Sequence, residues 1–146
     1  LLLKLDFVRD VPYHWIGKKQ DHDIQIDNPG NILSNKLTAV VNRDEPKDVF
    51  DIVTIALNYS FNWDEVFTHS IKKAIVSETD VAMRLKSFPV QLLENVDWLK
   101  NTINLSDFKQ NLLYLSDDFL FARDNSLGIG KPSIMDAMPI RDNRFN

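Results

Sequence analysis

Residues 32–51 read ILSNKLTAVVNRDEPKDVFD and contain one predicted helix, a stop signal and the start of a second helix. Apolar residues recur at helical spacing over 32–42, and Asn31 is a good N-cap for this helix. The sequence Asp44-Glu45-Pro46 ends the first helix and starts the next, because proline is tolerated only in the first turn. The second predicted helix, 47–58, is apolar on almost every side, which indicates a central and buried position.

Four charged residues lie on these two predicted helices. Lys36 and Arg43 are seven residues apart, about two turns, and therefore share one face. Asp48 and Asp51 are three residues apart and also share a face, beside isoleucines rather than on a polar side. A buried, unpaired charge costs several kcal/mol, so the two carboxylates need partners. Lys36 and Arg43, one helix back across a tight turn, are the predicted partners.

Two interpretations of this charged group remain open. In the first, the residues form a structural salt-bridge cluster that fixes the angle between two helices. In the second, they form a phosphate- or metal-handling site, with Lys36 and Arg43 facing phosphate oxygens and a carboxylate orienting the lysine. The spacing of the residues agrees with both.

The residues before the quoted stretch predict two short strands. Residues 3–8 alternate between apolar and polar side chains, and so do residues 23–27. The turn sequence Asn28-Pro29-Gly30-Asn31 then separates the strands from the helices. Because the chain opens within a predicted strand, we expect it to be the C-terminal part of a larger protein.

The residues after the quoted stretch predict further helices. The helical segments are 63–76 after an Asn62 cap, 78–87, 90–99 after Pro89, and 105–122 with Ser106 as its cap. Two glycines and two prolines in 124–146 predict an irregular tail. The fold class is therefore α+β and mostly helical: two short N-terminal strands followed by a bundle of about five or six helices.

The composition restricts the class of protein. With 146 residues, of which 44% are hydrophobic, the chain is long enough for one folded body. Its apolar runs are far shorter than the roughly 20 residues needed to span a bilayer, so we expect no membrane partner. The absence of cysteine fits a reducing compartment, and we expect a cytoplasmic protein. The net charge of −4 argues against a strongly basic nucleic-acid binder but leaves room for a local basic groove.

The short strand, the turn and the sequence NILSNKLTAVVNRDEPKDVFDI at 31–52 resemble the second half of the AbiEii/AbiGii toxin-like nucleotidyltransferases. In that family a Lys-Leu-x-Ala element precedes an arginine and an Arg/Lys-Asp-x-x-Asp-Leu/Ile element. Residues 36–39 match the first element, Arg43 matches the arginine, and residues 47–52 match the last. Residues 3–8 resemble the family's late core strand, and Asp6 lies where that strand can carry an acidic residue.

The resemblance implies a nucleotidyltransferase related to polymerase β that uses a nucleoside triphosphate and Mg²⁺. It implies action on RNA such as the 3′ end of tRNA, and a toxin that works with a cognate antitoxin protein. Lys36 would contact the triphosphate, and Asp48 would position the lysine or act near the nucleophile. Arg43 and Asp51 would support this site, and Asp6 would be a metal ligand.

The resemblance also assigns the parts of the chain. Residues 1–30 would be the end of the nucleotidyltransferase core sheet, while the local patterns described above divide the rest into a helical domain, 31–123, and the irregular tail, 124–146. The family's nucleotide-binding signature, a Gly-Ser turn followed by Asp-x-Asp, lies upstream of the matched region, and this chain has no Gly-Ser dipeptide. We therefore expect this chain alone to be inactive. The alternative is a noncatalytic helical module that binds proteins and contains a structural Lys/Arg–Asp ion cluster.

Overall fold

The computed structural model describes residues 12–17, 19–21 and 24–137. Most of these residues lie in α-helices or in the short 3₁₀ turns that connect or follow them. The helices are α1 (Pro29–Asn42), α2 (Pro46–Asn58), α3 (Trp63–Ser70), α4 (Glu78–Ser87) and α5 (Leu105–Leu120), and the 3₁₀ turns are Val90–Leu93, Ser126–Gly128 and Ile134–Asp136. The prediction of a mostly helical chain is therefore confirmed.

The starts of α1 and α2 are set by capping side chains followed by proline. Asn28, not Asn31, is the N-cap of α1: its side chain accepts a hydrogen bond from the Asn31 backbone N–H at 3.1 Å. Asn31 is instead buried inside the first turn, where its side-chain oxygen accepts from the Ile16 backbone N–H at 3.1 Å. Glu45 caps α2, which begins at Pro46, so the predicted stop between the two helices is confirmed.

The hydrophobic core is formed by residues from all five helices. Helix α1 packs against α2, α3 and α4, and α5 packs mainly against α4. Helix α2 buries one face, whereas Thr54 and Leu57 on the other side are exposed, so it is more amphipathic than predicted. No helix among the described residues is both long enough and apolar enough to cross a membrane. The core includes Leu33, Leu37, Ile52, Val53, Trp63, Val66, Val81, Leu85, Leu112 and Leu115.

The helices predicted after α2 differ from the structure in length, in type and in capping. Helix α3 ends at Ser70, six residues before the predicted end. Residues 90–99 do not form an α-helix: Val90–Leu93 is a 3₁₀ turn closed by the Glu94 N–H donating to Gln91 C=O at 3.1 Å. Asparagine and aspartate at 95 and 97 favour such a stop, because their side chains compete for backbone hydrogen bonds. The cap of α5 is Asn104 rather than Ser106.

The predicted N-terminal sheet is not confirmed. Residues 3–8, with Asp6, lie outside the described residues. Ile24–Ile26 forms a strand, β2, that pairs antiparallel with β1 (Lys19–Asp21), with Asp21 opposite Ile24. A pair of three-residue strands is too small to identify a nucleotidyltransferase-type sheet.

The chain after α5 packs against the C-terminal end of α2. The Asn125 side-chain amide donates to the carbonyls of Ala56 and Tyr59 at 2.7 and 2.8 Å, and it thereby satisfies acceptors that the helix end leaves open. Further along, the Ser60 N–H donates to Pro132 C=O at 2.9 Å. Gly128 lies against the same end of α2, where a Cβ atom would be 1.9 Å from the Tyr59 carbonyl oxygen.

We therefore expect Gly128→Ala to destabilise the protein by about 1–3 kcal/mol, because backbone must move to admit the methyl group. Gly17→Ala is the matched control, since its Cβ would meet no atom within 4 Å. Chemical denaturation of both variants measures the effect. Equal stability of Gly128→Ala and Gly17→Ala would contradict the close packing of 126–128 on α2.

Candidate functional site

The end of α1 and the start of α2 bring the predicted charged residues together around Asp48. The Asp48 carboxylate lies in the first turn of α2 and accepts from Lys36 Nζ at 2.7 Å through Oδ1. Arg43, the C-cap of α1, donates to the same carboxylate through both Nε (2.6 Å to Oδ2) and Nη2 (2.9 Å to Oδ1). This two-point contact between guanidinium and carboxylate is the strongest ion-pair geometry available to side chains.

Asp51 completes the group from the next turn of α2. Its Oδ2 lies 2.9 Å from Lys36 Nζ, so the ammonium group is held between two carboxylates. We call Lys36, Arg43, Asp48 and Asp51 the α1–α2 ion cluster. Of the five site residues predicted from the sequence, the structure brings these four together, and Asp6 lies outside the described residues.

The α1–α2 ion cluster has a buried end and an exposed end. The Asp48 side chain is 1% exposed, and that of Lys36 is 19% exposed. Asp51 is 27% exposed, whereas the Arg43 side chain is 61% exposed. Asp48 is therefore shielded from any ligand by its own partners, while Arg43 is the member most accessible to solvent.

The charges on Lys36, Arg43 and Asp48 are stabilised by their neighbours in the cluster. Burial favours the neutral form of Asp48, but hydrogen bonds from Arg43 and Lys36 outweigh burial and lower the pKa of this carboxyl. Burial likewise opposes the charge on Lys36, but hydrogen bonds to Asp48 and Asp51 raise its pKa. The hydrogen bond to Asp48 raises the pKa of Arg43. Lys36, Arg43 and Asp48 are therefore ionised at neutral pH.

The carboxylates of the α1–α2 ion cluster do not fit the role of Mg²⁺ ligands. Both oxygens of Asp48 and Oδ2 of Asp51 already contact cationic nitrogens within 3 Å. Across 12–17, 19–21 and 24–137, no three histidine or acidic side chains are grouped so that they could hold a metal ion. What the cluster offers chemically is a fixed ammonium group and a partly exposed guanidinium, which are ligands for an anion.

Sequence reasoning missed one arginine beside the cluster. Arg84, in α4, donates through Nη1 to Asp44 Oδ1 at 2.8 Å, in the link between α1 and α2. It lies forty positions from Asp44 in sequence, and its local pattern is that of an ordinary solvated helix face. Only the packing of α4 against α1 brings it to this link.

Comparisons of the chain with protein-family models, curated proteins and solved structures found no match.

Replacing Asp48 with asparagine tests how much the α1–α2 ion cluster contributes to the stability of the fold. Asp48→Asn removes the acceptor charge from two cations, and we expect a loss of about 3 kcal/mol, as for other broken buried ion pairs. Asp44→Asn breaks the exposed pair with Arg84, and its cost should stay within about 1 kcal/mol. Urea unfolding of both variants measures the loss of unfolding free energy. A similar small loss in both would show that the buried ion pairs of Asp48 do not stabilise the α1–α2 junction.

The stabilisation by Asp48 should depend on pH in a defined direction. Its pKa in the folded state is below the unfolded value of about 3.9, so the stabilisation is fully present above that value and is lost as pH falls through the folded pKa. The difference in unfolding free energy between wild type and Asp48→Asn should therefore shrink at acid pH. Denaturation series from about pH 7 to pH 2 measure it, and a constant difference would refute the assignment.

Proposed function

We propose that this chain is the C-terminal part of a nucleotidyltransferase resembling the AbiEii-type toxins. In this proposal the whole protein transfers a nucleotide from a nucleoside triphosphate to an acceptor, RNA or tRNA. One observation supports it above the others: the four described residues to which the resemblance assigns site roles meet in a single ion cluster at the α1–α2 junction. The resemblance assigns all four residues to one site, and their meeting at one junction agrees with that assignment.

In the proposed site Lys36 contacts the triphosphate. Asp48 and Asp51 hold its Nζ at 2.7 and 2.9 Å, so the ammonium group is already oriented before any ligand binds. A pre-positioned cation stabilises the charge that develops during phosphoryl-type transfer without a reorganisation cost. Burial of Asp48 favours a positioning role over a place near the nucleophile, since its oxygens are occupied by Lys36 and Arg43.

Arg43 is the second proposed phosphate contact. Its guanidinium is oriented by Asp48 and is also the most exposed part of the cluster. A guanidinium presents several N–H donors in one plane, which allows it to bind a carboxylate on one edge and phosphate oxygens on another. Asp51 then contributes to phosphate binding only indirectly, by orienting Lys36.

The remaining parts of the proposal rest on the resemblance alone. They are Mg²⁺ with Asp6 as its ligand and a cognate antitoxin partner, whereas the proposed cytoplasmic location rests on the absence of cysteine. No catalytic step is assigned to Mg²⁺, because the carboxylates of the α1–α2 ion cluster are engaged by cations. The nucleotide-binding signature would have to come from residues upstream of this chain.

A second candidate function is a noncatalytic helical module that binds another protein. The observation that favours it is the completeness of the cluster: Lys36 and Arg43 balance Asp48 and Asp51, and the buried carboxylate needs no ligand. In this case the four residues would only fix the angle between α1 and α2.

Activity of a Lys36 variant separates the two candidates. The full-length protein, with Mg²⁺ and labelled nucleoside triphosphates, should incorporate label into RNA, and Lys36→Ala should reduce the rate by about 10²-fold, as for loss of one charge-stabilising donor. Lys36→Ala should still fold, because Arg43 continues to neutralise Asp48.

Lys86→Ala is the matched control, since Lys86 is exposed on α4. Circular dichroism confirms that each variant is folded at the assay temperature. Full activity of folded Lys36→Ala would refute the site. Absence of incorporation by the wild type over a panel of RNAs would favour the protein-binding module.

A further inference from the structure

A cavity opens beside the exposed end of the α1–α2 ion cluster. It has a volume of about 280 Å³ and lies between the α1–α2 link, the C-terminal end of α4 and the turn Val90–Leu93. Arg43 belongs both to the cluster and to the wall of this cavity. A molecule held by Arg43 could therefore extend into the cavity without leaving the site.

The inner walls of the cavity are apolar and partly aromatic. Val40 and Val49 come from α1 and α2, Phe88 follows α4, and Leu92 lies in the 3₁₀ turn. Val40 and Val49 are buried, so these walls are part of the packed core rather than a loose surface. A flat, uncharged ring would gain contact with them and lose little on leaving water.

The rim of the cavity is polar and carries hydrogen-bond acceptors. Asp44 and Glu45 contribute carboxylates, and Ser87 contributes a hydroxyl. Arg84 is fixed at the rim by its 2.8 Å bond to Asp44, and it offers a planar guanidinium for stacking on a ring. Carboxylates at the edge of an apolar slot select a ring that carries N–H donors.

The size of the cavity limits what it can hold. Its volume is near the lower end of small-molecule sites, about 300–1,000 Å³, which suits a single heterocycle rather than an entire nucleotide. The charged part of a nucleotide would remain outside, against Arg43 and Lys36.

We propose that this cavity binds the base of the nucleoside triphosphate, and that it prefers bases with an exocyclic amino group. The inference rests on the proposed function, because it assumes that the triphosphate lies on the α1–α2 ion cluster. The amino group of adenine, guanine or cytosine donates to the carboxylate of Asp44 or Glu45. The hydrogen-bonding edge of uracil carries two carbonyl oxygens and a single ring N–H. Its carbonyl oxygens would face the carboxylates of Asp44 and Glu45 unfavourably.

Binding of three probes to the full-length protein tests the inference: inorganic tripolyphosphate, ATP and UTP, each followed by isothermal titration calorimetry. We expect ATP to bind at least about tenfold more tightly than tripolyphosphate or UTP. Leu92→Trp, at a half-exposed wall position, should fill the cavity and remove this advantage of ATP without changing tripolyphosphate binding.

Met83→Trp is the matched control, because Met83 is exposed on α4 and does not line the cavity. Ser87→Phe is a second filling variant, which covers the case in which Leu92→Trp fails to fold. Asp44→Asn should bring the affinities for ATP and UTP closer together.

The outcomes separate the two proposals. If ATP and tripolyphosphate bind equally and the filling variants change neither, the base-binding inference is overturned while the phosphate site stands. Equal affinities for ATP and UTP would overturn the preference for amino-bearing bases. If none of the three probes binds, the proposed function fails, and the inference fails with it.

Discussion

The buried carboxylate of Asp48 is the constraint on which the α1–α2 junction depends. A charge on a side chain that is 1% exposed, inside a core of valine and isoleucine, would cost several kcal/mol if it were unpaired. The first turn of α2 offers partial compensation, because the helix N-terminus favours negative charge. The rest must come from α1. Lys36 and Arg43 therefore have to lie within hydrogen-bond distance of Asp48, and this fixes how closely and at what angle the two helices meet.

The helices that could be predicted are those whose start and stop signals are local. Helices α1 and α2 can be predicted from their apolar spacing and from Glu45-Pro46, because a capping side chain and a proline act within one helical turn. The predicted N-cap of α1 was wrong because two local signals compete. Asn28 and Asn31 can both cap the helix, and packing of 12–17 against Asn31 decides between them. The prediction of an α-helix over 90–99 was wrong because the polar side chains at 95 and 97 compete for backbone hydrogen bonds, and only Val90–Leu93 forms a 3₁₀ turn.

The α1–α2 ion cluster could be predicted because its members lie within sixteen residues, on two helices joined by a tight link. Helical spacing alone puts two cations and two carboxylates on facing sides, and the cost of burial requires them to pair. The unequal exposure of the four residues could not be predicted, because it depends on what packs around the junction. Arg84 and the cavity depend in the same way on the approach of α4, which no short pattern encodes.

Because the four side chains differ in exposure, only some of them can distinguish a structural cluster from a phosphate-binding one. At the buried end, both candidate functions require the same ion pairs, because Lys36 and Arg43 must neutralise Asp48 whether or not a phosphate binds. Only the exposed end differs, because a phosphate contact needs the accessible edge of the Arg43 guanidinium, whose side chain is 61% exposed, whereas a structural cluster needs only the two N–H groups that bind Asp48. The cluster is also neutral as a whole, so a polyanion is not attracted by net charge and must be bound by directed N–H donors. The test of function therefore lies with Lys36 and Arg43, while loss of Asp48 reports on the fold under either interpretation.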